Sequence, residues 1–485
     1  MKCLATILCC VTGLLAPGSA HAQISSFKHV VLIIQENRTP DNLFYALCLP
    51  PYGSQKSCST APTSKQYNIQ TANWLDKTSK NGVTQPSRAN LAGGYDLGHL
   101  HSAFTALCDK DSNGHCRMDG EAGVTCEPAG SCDGFAHPQF KYVDNSAGTL
   151  NPYLDMVTQY GWANYMFQTE QGSTFPSHQY LFGATSAPTA DDDHLGTFVS
   201  NNGHGVNIGC ISAPDFLVQL IDANGVEDPR NKVFPCFEHD TLSDLLDTAG
   251  VTWKYYVAGA GGPANAPMDI SHLCQPSGGQ CTGLEYRTHV VLSASQVLTD
   301  IANCDLQQVI WSTPTGDNSD HAGGNDGGGP AWVASIVNAI GNSWANSNHK
   351  CDYWGANQPG DETAILLTWD DWGGWYDHES PLILRYPQGG FQLGARVPLV
   401  AISAYTPAKT ISNARFDFGS MVRFVEQNYG IQEGALTFAD SRSGTDLKAF
   451  FDLTQVPRVF ETIAAPKGAE FFIRDPRPQT DADDY

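Results

Sequence analysis

Three apolar runs, at 29–34 (HVVLII), 308–311 (QVIW) and 364–368 (AILLT), constrain this chain most strongly. None alternates polar with apolar positions. Each must therefore bury both faces, as strands do inside a parallel sheet covered by helices on either side. A fourth run, 397–402, ends at Ser403-Ala404. Helical stretches stand between these runs, at 152–160, 241–249, 331–340 and 418–429. In the second of them Thr241 supplies an N-cap and Gly250 a stop. The alternation predicts an α/β fold with a central, mostly parallel sheet between helices. Ligands of such sheets gather at the carboxyl ends of the strands.

Chemistry-bearing residues follow the strands at once. The first strand runs into Glu36-Asn37 and the third into Asp370-Asp371, while the second leads to a Gly-rich loop, 313–329, with Asp320 and His321. Adjacent carboxylates at a strand end repel one another, and a cation between them removes the repulsion. Three carboxylates and an amide oxygen make a hard site for a divalent metal, although loop capping by Asp and Asn would use the same letters. Beyond the second pair the chain reads DDWGGWYDH (370–378). Gly373-Gly374 allow a tight turn, and Trp372, Trp375 and Tyr376 suit either a pocket wall or a core. The segment GSTFPSH (172–178) places a hydroxyl at the start of a helix, as a nucleophile or as a cap. In DLGHLH (96–101) two histidines at i, i+2 would share one face of a strand.

Residues 1–22 carry a basic start at Lys2, an apolar stretch and a small-x-small end, the pattern of a secretory signal, so the chain is expected to be secreted or periplasmic. Twelve of its 15 cysteines lie beyond that signal, in near-neighbour pairs: 48/58, 108/116, 126/132, 210/236, 274/281 and 304/351. Zinc sites would need Cys-x₂₋₄-Cys spacings, so disulfides are expected instead. They would staple loop-rich insertions at 48–95, 105–150 and 186–235. One large catalytic domain is expected over 23–475, followed by a flexible tail at 476–485. The net charge of −23 argues against nucleic-acid partners and anionic bilayers. No stretch is long and apolar enough for stable membrane insertion.

Taken in order, ENRTPDNLF (36–44), YDLGHLH (95–101), RMDG (117–120), GSTFPSH (172–178), SDHAGG (319–324), TWDDWGGWYDHESP (368–381) and GARVPLVAIS (394–403) form a series. It resembles the secreted phosphoesterase family of bacterial phospholipases C, the related acid phosphatases and plant non-specific phospholipases C, over roughly 28–452. The resemblance implies an alkaline-phosphatase-like fold and a divalent ion held by Glu36, Asn37, Asp370 and Asp371. Oxygen ligands favour Ca²⁺ or Mg²⁺, and nearby histidines admit Zn²⁺. It also implies that Thr174 is the nucleophile, passing through a phosphothreonine, and that His99, His321 and His272 line the phosphate site. The expected substrate is a phosphate ester or a phospholipid. Thr39-Pro40 and Ser177 depart from the family's usual letters and bear on substrate fit. Two alternatives remain at this level: a non-catalytic secreted carbohydrate- or ligand-binding protein using exposed tryptophans, and a sulfatase-like enzyme. The second would want Cys or Ser where this chain has Thr174.

Overall fold

The computed structural model describes residues 25–200, 209–386 and 389–482. The stretch read as an export signal lies outside the described residues. The apolar runs form the middle of an eight-stranded sheet. In chain order its strands are β1 (His29–Gln35), β2 (Gly161–Phe167), β3 (Trp253–Tyr256), β4 (Val290–Val291), β5 (Val309–Ser312), β6 (Thr363–Trp369), β7 (Leu399–Ile402) and β8 (Thr410–Asp417). They lie in the order β4-β3-β5-β1-β6-β7-β2-β8. Every neighbouring pair is parallel except the two that involve β7. The sheet is thus mostly parallel, as expected.

All seven residues of β1 are buried, because β5 and β6 flank it and helices cover both faces. The helices are α1 (Asn151–Gln159), α2 (Thr174–Gly183), α3 (Leu242–Ala249), α4 (Gly329–Gly341) and α5 (Phe418–Asn428). α3 starts as its letters demand: Thr241 and Asp244 form a capping box, and Gly250 closes the helix at φ 68°. β7 is antiparallel to β6 because the chain leaving β6 re-enters the sheet at the same end, with Thr368 opposite Leu399. Thr368 Oγ1 donates to the Pro398 carbonyl (2.9 Å) where the two strands meet.

All six near-neighbour cysteine pairs are disulfides. The insertion held by Cys108–Cys116 and Cys126–Cys132 has a small core of its own, in which Leu97, Phe104 and Leu107 pack against Trp372 and Trp375. That core covers the carboxyl end of the sheet. The expected flexible tail is instead docked as far as Ala482. Gly316 N donates to Thr480 O (2.9 Å), Arg477 pairs with Asp326 (2.8 Å) and Asp317 (3.2 Å), and Asp481 is buried. The tail therefore braces the Gly-rich loop that carries His321. Among the described residues no helix is long and apolar enough to cross a membrane.

Candidate active site

The parallel register of β1 and β6 builds the centre of the site. Gln35 pairs with Trp369, and Asp370 N donates to Gln35 O (2.9 Å). One residue further, Glu36-Asn37 and Asp370-Asp371 leave the sheet side by side. All four are buried. Asp370 Oδ1 accepts from the backbone N–H of Asn37 (3.1 Å) and of Asp371 (2.7 Å), and Asp371 Oδ1 accepts from Gly373 N (2.6 Å). Asn37 has φ 60°, a left-handed conformation that Asn tolerates better than most residues.

The adjacent glycines are needed for this closeness. At φ 62° and 70°, Gly373 and Gly374 bring their loop against the Asn37 carbonyl and the Leu97-Gly98 backbone, and any Cβ there would collide. The same turn thus sets both the acidic centre and the segment that carries His99.

Thr174 opens α2, with Ser173 at the N-cap position. Its Oγ1 stands 3.3 Å from Asp371 Oδ2 and 3.5 Å from Glu36 Oε2. The helix dipole at that position favours negative charge on the oxygen. Glu170 fixes the approach: its carboxylate accepts from Gly172 N and from Ser177 Oγ (3.0 Å), tying the entering turn to the first turn of α2. Burial pushes the Glu170 carboxyl well above its usual range, and Asp371 and Asp370 add to the effect.

His178, one turn beyond Thr174, lies on the same face of α2. It is fully buried, with Nε2 3.9 Å from Glu36 Oε1 and 3.8 Å from Asp370 Oδ2. Glu36, His178 and Asp370 each offer a ligand atom, all within 4.8 Å of one another. With Asn37 and Asp371 beside them, this donor set of carboxylates, an amide and an imidazole fits a divalent cation. One end of the Asn37 amide lies 3.2 Å from Oδ1 of both Asp370 and Asp371, and the other lies 2.8 Å from His321 Nε2. Turned one way, the amide donates to the aspartates; turned the other, it adds an oxygen to a cation-binding cluster.

His99 and His321 flank this centre, with ring centroids 5.7 Å apart. Each Nδ1 donates to a backbone carbonyl, Leu97 O or Ala322 O (both 2.8 Å), so each Nε2 is turned toward Asn37. His272 stands apart from them. Its ring nitrogens are taken up by Asp244 (3.1 Å) and Glu238 (2.9 Å), and the first of these contacts leads in raising its pKa to about 9. His101 also diverges from His99, with Nε2 on Gly225 O (3.2 Å).

Half of the late motif does structural work. Arg396 is fully buried and binds Asp377 through Nε (3.0 Å) and Nη2 (2.9 Å), while His378 Nδ1 meets Asp41 Oδ2 (2.6 Å). Asp41, Asp377 and His378 are also spaced for a metal. There, however, the Arg396 guanidinium already supplies positive charge, 3.5 Å from Asp41. Of the two readings open to these tryptophans, a pocket wall or a core, burial favours the core: Trp369 and Trp372 are completely buried and Trp375 is 3% exposed.

A threonine hydroxyl at a helix start thus lies among convergent carboxylates and imidazoles. The model of the Phosphoesterase family matches residues 27–432, and this chain belongs to that family. It is 22% identical over 447 residues to the non-hemolytic phospholipase C of Pseudomonas aeruginosa, covering 85% of this chain and 55% of the relative. It is 22% identical over 366 residues to the hemolytic phospholipase C of the same organism, covering 64% of this chain and 44% of the relative. The chain thus spans about half the length of these relatives. Among solved structures it is similar to a Vibrio parahaemolyticus protein of the alkaline phosphatase superfamily. There the TM-score is 0.30 and the identity 9%, over 70% of this chain and 68% of the other.

Proposed function

We propose that this chain is an exported, metal-dependent phosphoesterase that hydrolyses phosphate monoesters or the headgroup side of phospholipids through a phosphothreonine. The observation that carries the reading is the placement of Thr174 Oγ1 at the start of α2, within 3.5 Å of both Asp371 and Glu36. A divalent cation held by Glu36, Asn37, Asp370 and Asp371, with His178 beside them, would lower the hydroxyl pKa and neutralise substrate charge. Thr174 Oγ1, its proton lost to solvent as its pKa falls, forms a bond to phosphorus, and the ester oxygen leaves with the electron pair of the broken P–O bond. His99 or His321, as an imidazolium with a hydrogen on the inward Nε2 as well as on Nδ1, supplies the proton to the departing alcohol and is left neutral. Water then attacks the phosphothreonine, frees the phosphoryl product and restores the hydroxyl. Export is supported by the composition of residues 1–22 and by six disulfides, which form and persist in oxidising compartments.

Acid-quenched turnover followed by peptide mass analysis should find one phosphoryl group on the Thr174 peptide. Full activity in Thr174→Ala would overturn the mechanism. Diacylglycerol and phosphate release from matched substrates sorts the two ester classes.

A further inference from the structure

A cleft of about 370 Å³ opens beside the site, and its lining does not follow from the chemistry described so far. Arg38, directly after Asn37, and Lys141 lie in it with the aromatic rings of Tyr95, Phe135 and Trp375. Arg38 is 2% exposed and Lys141 9%. Among the described residues neither cation forms an ion pair. Arg38 Nε donates to the Asp320 backbone carbonyl (2.8 Å) and Nη1 to Asn42 Oδ1 (3.3 Å), while Nη2 has no hydrogen-bond partner. Lys141 Nζ donates to Ser87 Oγ (2.7 Å) and to the Ala136 carbonyl (3.0 Å). Both therefore meet only neutral acceptors. Elsewhere in this acidic chain, buried Arg396 and half-buried Lys254 each hold a carboxylate. The third cation of the cleft, Arg88 at its rim, faces Asp144 at 4.0 Å.

Asp144 also lines the cleft, beside Arg88. Among the described residues, however, no carboxylate contacts Arg38 or Lys141, and an anion entering next to them offsets the cost of their burial. The Arg38 guanidinium stands 5.2 Å from the centroid of the Trp375 ring, so a planar ligand entering here meets an aromatic wall beside the cations.

We infer that this cleft binds an oxyanion, carboxylate or phosphate, carried on a ring, with Arg38 and Lys141 as its charge partners. The anion belongs either to the leaving group of a substrate whose phosphoester sits at Thr174 or to a separate ligand. The first case rests on the phosphoesterase reading; the second does not.

The test compares phenyl phosphate with 4-carboxyphenyl phosphate as substrates of the metal-loaded protein, and titrates the same protein with benzoate by calorimetry. A substrate subsite gives the carboxylated ester a KM lower by about tenfold, the size of one charge-assisted hydrogen bond. Lys141→Met then abolishes that preference and leaves phenyl phosphate unchanged. A separate anion site shows no substrate preference. Benzoate nevertheless binds, Lys141→Met weakens it by about tenfold, and Lys141→Arg retains it. If Lys141→Met does not fold by circular dichroism, Phe135→Ala at the exposed rim takes its place and should weaken the same binding. Equal KM values together with benzoate binding insensitive to Lys141 and Phe135 would overturn the proposal. Failure to hydrolyse either ester would count against the phosphoesterase reading alone, and the benzoate titration would still decide the cleft.

Discussion

The phenol oxygen of Tyr255 lies 3.1 Å from His178 Nδ1 and gives its own proton to the Ala264 carbonyl at 2.6 Å. A carbonyl only accepts, so the Tyr255 oxygen can only accept from His178, and Nδ1 carries the hydrogen. The other nitrogen, Nε2, is thereby turned to Glu36 and Asp370. A hydrogen bond of this kind orients a ligating imidazole, and its loss commonly costs 10–100-fold in metal affinity. Tyr255→Phe should lower the affinity for a divalent metal by about that factor, read by competition with a chelator, with the circular dichroism spectrum unchanged. Unaltered affinity would remove Tyr255 from the site.

The resemblance implies a phosphate-site role for His272 and none for His178. Yet His178 faces Glu36 and Asp370 while the His272 ring is held by Glu238 and Asp244, and a pair of variants separates the two. His178→Ala should abolish hydrolysis, whereas His272→Gln should leave it intact. His272 instead serves stability. Contact with Asp244, ahead of the opposing burial, raises its pKa from 6.5 to about 9, so the folded state binds its proton more tightly than the unfolded chain. Its contribution is complete below pH 6.5 and is lost as pH rises toward 9. The wild-type Tm should therefore fall by about a degree or two more than that of His272→Gln across this window, since a chain of this size moves little per kcal/mol. Parallel Tm curves would refute the assignment.

What could be read in the letters follows from how local each signal is. β1, β5, β6 and β7 announce themselves because both faces are buried and the run is continuous. β8, with Asn413, Arg415 and Asp417 among its residues, escapes because it is an edge strand with one side largely in water. The acidic pairs are legible because their meaning depends only on ending a strand. His178 is not, since its role requires the helical turn from Thr174 and a tyrosine from β3. His272 misleads because Glu238 and Asp244, which capture its ring, are about thirty residues away. The tail misleads likewise: its Pro- and Asp-rich composition suggests solvation, yet the partners of Arg477 lie in the Gly-rich loop around Asp317 and Asp326.

Arg396 is the keystone between the first and late motifs. Its guanidinium spans Asp377 and Asp41, and Nη1 also donates to the Asn68 and Asn164 carbonyls (both 2.8 Å). Arg396→Met leaves two buried carboxylates facing each other, and breaking a buried pair from one side costs about 3–5 kcal/mol. Lysine cannot reproduce the fork, so Arg396→Lys should lose most of the same stability. Urea unfolding checks both, and wild-type stability in either variant would contradict the network.

The braced tail yields an activity prediction away from the chemistry. Arg477 Nη2 donates to Asn318 Oδ1 (3.1 Å) while Nη1 holds Asp326, and this loop delivers His321 to the site. Arg477→Ala should loosen the loop and lower kcat/KM several-fold. The effect on global unfolding should be under about 1 kcal/mol, because the pair is partly solvated. Equal kcat/KM would show that the loop holds its place unaided.

Removing the cation should expose a conflict between stability and activity at the acidic centre. Glu36, Asp370 and Asp371 converge in a buried place, and their mutual repulsion is offset when a positive ion sits among them. Chelation should therefore lower Tm, and a metal at a hundredfold its dissociation constant should restore about 2.7 kcal/mol. Asp370→Asn tests the cause. Its carboxamide removes one negative charge, so the metal-free variant should melt above the metal-free wild type, respond less to added metal and hydrolyse nothing. The opposite order of melting, with Asp370→Asn below the metal-free wild type, would mean that the carboxylate is held by fixed hydrogen bonds from Asn37 and Asp371 rather than kept for an ion.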